Sequence, residues 1–142
     1  MARNLIAVVT GLAVWFLILA IAGPIMRETW PAYAAVADAM TFTLPMMIAR
    51  LSIGAFATVA TGFVTACITR SALARLIPGF ILLIFFIPEH VRLWDKFPIW
   101  YHLTFLLSLV PLTYVGNSIA RGAMRVTNDS RAPSAGKPSR AE

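Results

Sequence analysis

Charged residues are scarce in this chain of 142 residues, and their scarcity argues against a soluble fold. They make up 13% of the sequence, whereas hydrophobic residues make up 59%; soluble domains have about 25% charged residues. The single cysteine, Cys67, excludes an intrachain disulfide and a paired-cysteine metal site. The phosphate-binding loop, the nucleophile elbow and the HExxH motif are also missing from the sequence. We therefore expect a protein that is not an enzyme and that lies in a membrane.

Long apolar stretches supply the hydrophobic residues. About 20 apolar residues in a helix cross a hydrocarbon core roughly 30 Å thick. Four stretches approach or exceed this length, and they cover residues 5–26, 45–69, 71–88 and 99–120. The sequence thus predicts an all-α fold, an antiparallel bundle of four transmembrane helices within residues 1–123. The polar remainder, residues 124–142, cannot bury a core and is expected to be a disordered tail.

The first and third stretches each have an alternative interpretation. Arg3 followed by an apolar run resembles a secretory signal, but signal cores span roughly 7–15 residues and this run is longer. The third stretch is short unless it extends back to Ser71 with Arg75 reaching the headgroups, and a re-entrant segment is the alternative. Pro78 is expected to kink or loosen its first turns. We expect both stretches to span the membrane.

The positive charges are distributed unevenly between the two sides of the predicted bundle. Three cations fall on one side, namely Arg27, Arg92 and Lys96. Eight fall on the other, namely Arg3, Arg70, Arg75, Arg121, Arg125, Arg131, Lys137 and Arg140. Cytoplasmic loops carry the excess of Lys and Arg, so both termini are expected to be cytoplasmic in a bacterial inner membrane. The first outer loop contains an Ala-rich stretch, residues 34–40, that is typical of a short interfacial helix.

Arg50 interrupts the second apolar stretch, about two turns from its outer end. Residues at intervals of four from it include Gly54, Thr58 and Gly62, and small residues at this spacing let another helix approach closely. A charge at this depth costs several kcal/mol unless it is shielded. We therefore expect Arg50 to face protein, where it binds an anion or headgroup or pairs with a carboxylate. The alternative is that its side chain snorkels outward to the membrane surface.

Glu89 and His90 end the third stretch, and His102 opens the fourth. Antiparallel packing would bring these residues to the same end of the bundle as Arg50, as a candidate polar pocket in which Arg50 and Glu89 form an ion pair. Two histidines and a carboxylate suit zinc, and two histidines suit haem. The chain has only two histidines, so we expect neither a metal nor a cofactor.

Two functions remain open from the sequence. The first is a non-enzymatic accessory subunit that packs against itself or a larger membrane complex through the face of Gly54, Thr58 and Gly62. The alternative is a small transporter or ligand-binding subunit that uses the candidate pocket. Small multidrug transporters also have four spans, but they carry a membrane-embedded glutamate that residues 5–26 lack. The net charge of +6 is spread over loops and tail, which favours contact with anionic lipid and not nucleic acid.

Overall fold

The computed structural model describes residues 1–131, and this part of the chain is helical without any strand. Three helices are long and apolar enough to cross a membrane. The five helices are α1 (Ala2–Thr29), α2 (Pro31–Ala37), α3 (Leu44–Ile68), α4 (Ile77–Arg92) and α5 (Ile99–Arg131), with a short 3-10 turn over Trp94–Lys96 before α5. Large apolar side chains such as Phe56, Leu107 and Ile84 point outward, each more than two-thirds exposed. An outer surface of this kind suits acyl chains and not water.

A row of threonines on α3 fixes its packing against α1. The hydroxyl of Thr61 lies 3.1 Å from the carbonyl of Gly11, and that of Thr65 lies 3.4 Å from the carbonyl of Ala7; each hydroxyl lies closer still to a carbonyl of its own helix. Further along, Thr69 bonds to the side chain of Asn4. Residue numbers fall on α1 as they rise on α3, so the two helices run antiparallel. Interhelical hydrogen bonds from threonine are a usual adhesive between membrane helices.

Glycines bring α3 and α5 into close contact. A Cβ atom at Gly62 would collide with the backbone carbonyl of Thr113. A Cβ atom at Gly116 would collide with the carbonyl of Val59 and come within 2.8 Å of the amide nitrogen of Phe63. Gly54 of α3 faces Phe105 of α5, as Gly62 faces Thr113, so residue numbers rise together on both helices and α3 and α5 run parallel. Small residues permit this close approach, which increases van der Waals contact between the helices. Such contact matters in lipid, because the hydrophobic effect does not drive helices together there.

Helix α4 is shorter than the sequence predicts. It begins at Ile77 and ends at Arg92, whereas residues 71–76 form turns, so the predicted extension back to Ser71 is wrong. Its 16 residues rise about 24 Å, less than the three helices that are long and apolar enough to cross a membrane. The carbonyl of Arg75 accepts a hydrogen bond from Asn117 on α5, which helps to hold the preceding turn out of the helix.

Helix α4 contains one proline in its first turn and another in its interior. Pro78 lies in the first turn, where its missing N–H costs no hydrogen bond, so the predicted kink there is wrong. Pro88 lies inside the helix, and the helix nevertheless continues to Arg92 into the predicted outer loop. Near the start of α4 a Cβ atom at Gly79 would lie 3.2 Å from Val110 of α5, and near its end His90 contacts His102. These contacts make α4 antiparallel to α5.

Helix α2 folds back over the end of the bundle where α1 ends and α3 begins. Pro31 is its first residue. Tyr33 and Ala37 of α2 form a small buried cluster with Met46 of α3. A short helix is thus present in this loop as predicted, but it covers Pro31–Ala37 and not residues 34–40. Proline fits the first turn of a helix, which explains the earlier start.

Helix α5 continues past the point where the sequence predicts a disordered tail. It runs without interruption to Arg131, so the tail prediction is wrong for residues 124–131, while residues 132–142 lie outside the described part. No proline occurs between Met124 and Arg131, and Met124, Arg125 and Arg131 are residues of types that favour a helix. Pro111 lies inside α5 and does not interrupt the helix.

Trp15 and Cys67 lie in opposite environments. Trp15 is 2% exposed and packs between helices with Ala57, Leu82 and Leu109. Cys67 is exposed, because it lies on the side of α3 away from the α1 and α5 contacts.

Candidate functional site

A pocket of about 390 Å³ lies at the end of the bundle where α2 covers it. We call it the Arg50 pocket. Its apolar floor is formed by Trp15, Gly54, Phe86 and Phe105. Its remaining lining residues come from every helix, and they are Leu19, Ala22, Gly23, Met26, Tyr33, Arg50, Ile53, Glu89, His90, Leu93, Phe97, Tyr101 and His102. Polar groups converging in a mainly apolar cavity are typical of a small-molecule site.

Arg50, Glu89, His90 and His102, the four residues of the predicted polar pocket, all line this cavity. The expected ion pair between Arg50 and Glu89 is absent. Within residues 1–131 the salt bridge present joins Arg27 to Asp38 at 2.9 Å. Glu89 is exposed at the mouth of the pocket, where water solvates its carboxylate, while Arg50 lies deeper.

Arg50 is held by two tyrosines. Its Nη1 donates a hydrogen bond to the hydroxyl of Tyr33 at 2.7 Å, and its Nε lies 3.4 Å from the hydroxyl of Tyr101. Its guanidinium carbon lies 4.7 Å from the ring centre of Phe42, a cation–π geometry. These neutral partners fix the position of the guanidinium without neutralising its charge.

Hydrogen-bond donors outnumber acceptors around Arg50. A guanidinium has five N–H groups, and its two tyrosine partners leave three without an acceptor in the described part of the chain. Both tyrosine hydroxyls accept from Arg50, and neither donates to an acceptor within residues 1–131. Tyr33 and Tyr101 are 4% and 6% exposed. The site therefore offers a fixed positive charge and two hydroxyl donors, the complement of a carboxylate or phosphate.

His90 and His102 form a direct pair. Their Nδ1 atoms lie 2.8 Å apart, so one ring donates and the other accepts, and at least one ring is neutral. Trp94 stacks on His102 at 4.9 Å between ring centres, and Phe105 stacks on His90 at 4.8 Å. The Nε2 atom of His102 is buried and has no partner among the described residues. A buried nitrogen of this kind gains from any polar group that enters the pocket.

The arrangement gives no support to a metal or haem site. No group of three or more His, Cys, Asp or Glu side chains suited to a metal occurs within residues 1–131. The two histidines use their Nδ1 atoms on each other, and Phe105 and Trp94 stack on His90 and His102.

Gly54, Thr58 and Gly62 are buried within the chain itself. Gly54 faces Phe105 of α5, and Gly62 faces Thr113 of α5. Thr58 accepts a hydrogen bond of 3.1 Å from the indole N–H of Trp15 on α1. The chain's own α1 and α5 therefore fill this face, and a partner would have to bind elsewhere.

Sequence reasoning missed the two tyrosines. Neither Tyr33 nor Tyr101 is among the candidate pocket residues that the sequence indicates. An aromatic ring stacks on each tyrosine. The ring centres of Phe42 and Tyr33 are 5.1 Å apart, and those of Phe97 and Tyr101 are 4.9 Å apart. The available signal was the need of Arg50 for polar partners, which points to the nearest hydroxyls at the same end of the bundle.

Comparison with known proteins adds no functional assignment. The chain matches no family model, no curated protein and no solved structure among those with which it was compared. The contacts around Arg50 are accordingly the basis for a functional proposal.

Proposed function

We propose that this chain is a four-span membrane protein with both termini in the cytoplasm. Contacts between helices support alternating directions for α1, α3, α4 and α5, and the excess of cations lies at the end of Arg3 and Arg75. This orientation places the Arg50 pocket toward the outer side of the membrane. By analogy with other chains that follow the positive-inside rule, a bacterial inner membrane suits this distribution.

Its single cysteine makes the orientation simple to test. Cys67→Ser gives a background without cysteine, into which Asp95→Cys and Arg125→Cys are introduced one at a time. An impermeant maleimide added to intact cells should label the first variant, and should label the second only after the membrane is broken. The reverse labelling pattern would contradict the proposed orientation.

Within this membrane protein, the function best supported is the non-enzymatic binding of an anionic ligand in the Arg50 pocket, as a ligand-binding subunit or small transporter. One observation carries the proposal. Arg50 is recessed in a cavity beside two tyrosine hydroxyls, and in the described part of the chain it has no carboxylate partner. A charge at membrane depth costs several kcal/mol, and a bound anion would offset part of that cost.

The accessory-subunit hypothesis has less support, because its proposed interface is occupied. Gly54 and Gly62 already contact α5, and Thr58 contacts α1. The exposed helix faces are compatible with association with another copy or a larger complex, but no observation favours one of these faces over another.

Titration of the purified protein with methyl phosphate tests the proposal. Calorimetry should detect binding to the wild-type protein, and Arg50→Gln should weaken it about tenfold or more, because charge-assisted hydrogen bonds contribute about 1.5–3 kcal/mol each. Arg92→Gln is the matched control, since Arg92 is exposed at the same end of the bundle and lies outside the pocket lining. Equal binding by all three proteins, or no binding to any, would refute the proposal.

A further inference from the structure

A second cavity lies beside the Arg50 pocket, at the surface of the helices. This side groove, of about 470 Å³, lies between α1 and α3. Ala22, Met26 and Ile53 line both cavities, so these residues form the boundary between the charged site and the groove. A ligand that occupied both cavities would pass between these side chains at the junction of α1 and α3.

The side groove is apolar and open. Ile21 and Ile25 are each 53% exposed, and Phe56 is 67% exposed. Ser52 is the groove's polar side chain, and its hydroxyl already bonds to the carbonyl of Ile48. In a membrane such a surface faces acyl chains, because water cannot solvate it favourably.

The direction of the groove matches that of a lipid. The groove extends along α1 from Met26 back to Ile18, a rise of about 12 Å, and so leads from the level of Arg50 toward the middle of the helix. An amphiphile with its headgroup at Arg50 would therefore lay its chain in the same direction as neighbouring lipids of that leaflet.

From these observations we infer that the ligand of the Arg50 pocket is an anionic amphiphile, with a phosphate or carboxylate headgroup at Arg50 and an alkyl chain in the side groove. This inference rests on the proposed function and names the ligand class. The ligand enters sideways from the bilayer between α1 and α3. Charge complementarity with Arg50 selects the headgroup, and the apolar walls select the chain.

Ser52 provides a substitution that acts on the side groove alone. It lines the groove and lies outside the lining of the Arg50 pocket, and its hydroxyl bonds to the carbonyl of Ile48 in its own helix. Ser52→Trp should therefore fill part of the groove without disturbing helix packing. Ser118→Trp is the matched control, because the hydroxyl of Ser118 likewise bonds to a carbonyl of its own helix and Ser118 lines neither cavity.

The probe is dodecyl phosphate with a photoreactive group at the end of its chain, added to the protein in phosphatidylcholine nanodiscs. We expect labelling to concentrate on Ile21, Ile25 and Phe56, and to fall about tenfold or more in Arg50→Gln and in Ser52→Trp. Ser118→Trp should label as the wild type does. Labelling spread equally over other exposed apolar residues such as Phe80, and unchanged by these substitutions, would overturn the inference.

Methyl phosphate distinguishes failure of this inference from failure of the proposed function. It has no chain and reaches Arg50 from the mouth at Glu89, so Ser52→Trp, which lies outside the Arg50 pocket, should leave its affinity unchanged. Should methyl phosphate depend on Arg50 while dodecyl phosphate does not, the ligand is a small soluble anion and the amphiphile inference is refuted alone. Should neither probe depend on Arg50, both are refuted.

Discussion

The Nη1 atom of Arg50 lies 2.7 Å from the hydroxyl oxygen of Tyr33, and this contact joins α3 to the short helix α2. It places a residue of a connecting segment directly beside the charge in the pocket. The same hydroxyl retains its proton for another acceptor, so Tyr33 both positions the guanidinium and contributes to the proposed anion site.

Replacing Tyr33 with phenylalanine should therefore weaken anion binding. Tyr33→Phe removes one acceptor from Arg50 and one donor to the ligand, and we expect the affinity for methyl phosphate to fall about tenfold. Calorimetric titration measures the change. Tyr114→Phe is the control, because Tyr114 is 55% exposed on α5. An unchanged affinity in Tyr33→Phe would show that the ligand does not reach this hydroxyl.

Glu89 should oppose the ligand from the mouth of the pocket. Its exposed carboxylate carries the same sign of charge as the proposed ligand, so Glu89→Gln should strengthen methyl phosphate binding about two- to fivefold at low salt, the size expected of a screened surface interaction. The gain should shrink as salt is raised. Asp95→Asn, an exposed substitution outside the pocket lining, should change the affinity less. Weaker binding in Glu89→Gln would contradict an anionic ligand.

The contact between Trp15 and Thr58 should contribute to stability. Thr58→Val keeps the shape of the side chain but leaves the buried indole N–H of Trp15 without its acceptor, and we expect a loss of about 1–3 kcal/mol. Thermal unfolding in detergent, followed by circular dichroism, measures it. Thr127→Val is the control, since the exposed hydroxyl of Thr127 bonds only to a carbonyl of its own helix. Equal melting temperatures for the two variants would argue against the interhelical bond.

The close approach of α3 and α5 at Gly62 should tolerate no side chain. Gly62→Ala places a methyl group against the Thr113 carbonyl, and the two helices must separate to accept it. Overpacking of this kind costs about 1–3 kcal/mol, visible as a lower melting temperature in detergent. Gly122→Ala adds a methyl group into open space and should be neutral or slightly stabilising. A neutral Gly62→Ala would mean that the helices pack less tightly than the structure indicates.

The apolar runs predicted the long helices well, because length and hydrophobicity alone decide whether a helix can cross a bilayer. Helices α1 and α3 contain the predicted runs 5–26 and nearly all of 45–69. The start of α4 was not predictable in the same way. It depends on Asn117 of α5 bonding to the carbonyl of Arg75, a contact between residues far apart in sequence.

The candidate site, like the fold, was predictable only in part from the sequence. Arg50 stands out as a charge inside an apolar run, and the predicted ends of the spans brought Glu89, His90 and His102 to its level. The partners of Arg50 depend on how α2 folds back over the bundle, which no local pattern specifies. For the same reason the sequence favoured a carboxylate partner, and it also presented the face of Gly54 and Gly62 as free when α5 covers it.

The most direct test of the account is the distance between the phosphorus of bound dodecyl phosphate and the guanidinium nitrogens of Arg50. Solid-state NMR of protein labelled with nitrogen-15 arginine, in phosphatidylcholine nanodiscs, measures this dipolar contact. The account predicts a phosphorus–nitrogen contact that disappears in Arg50→Gln and persists in Arg92→Gln. A contact that survives Arg50→Gln, or the lack of any contact while the ligand is bound, would contradict it.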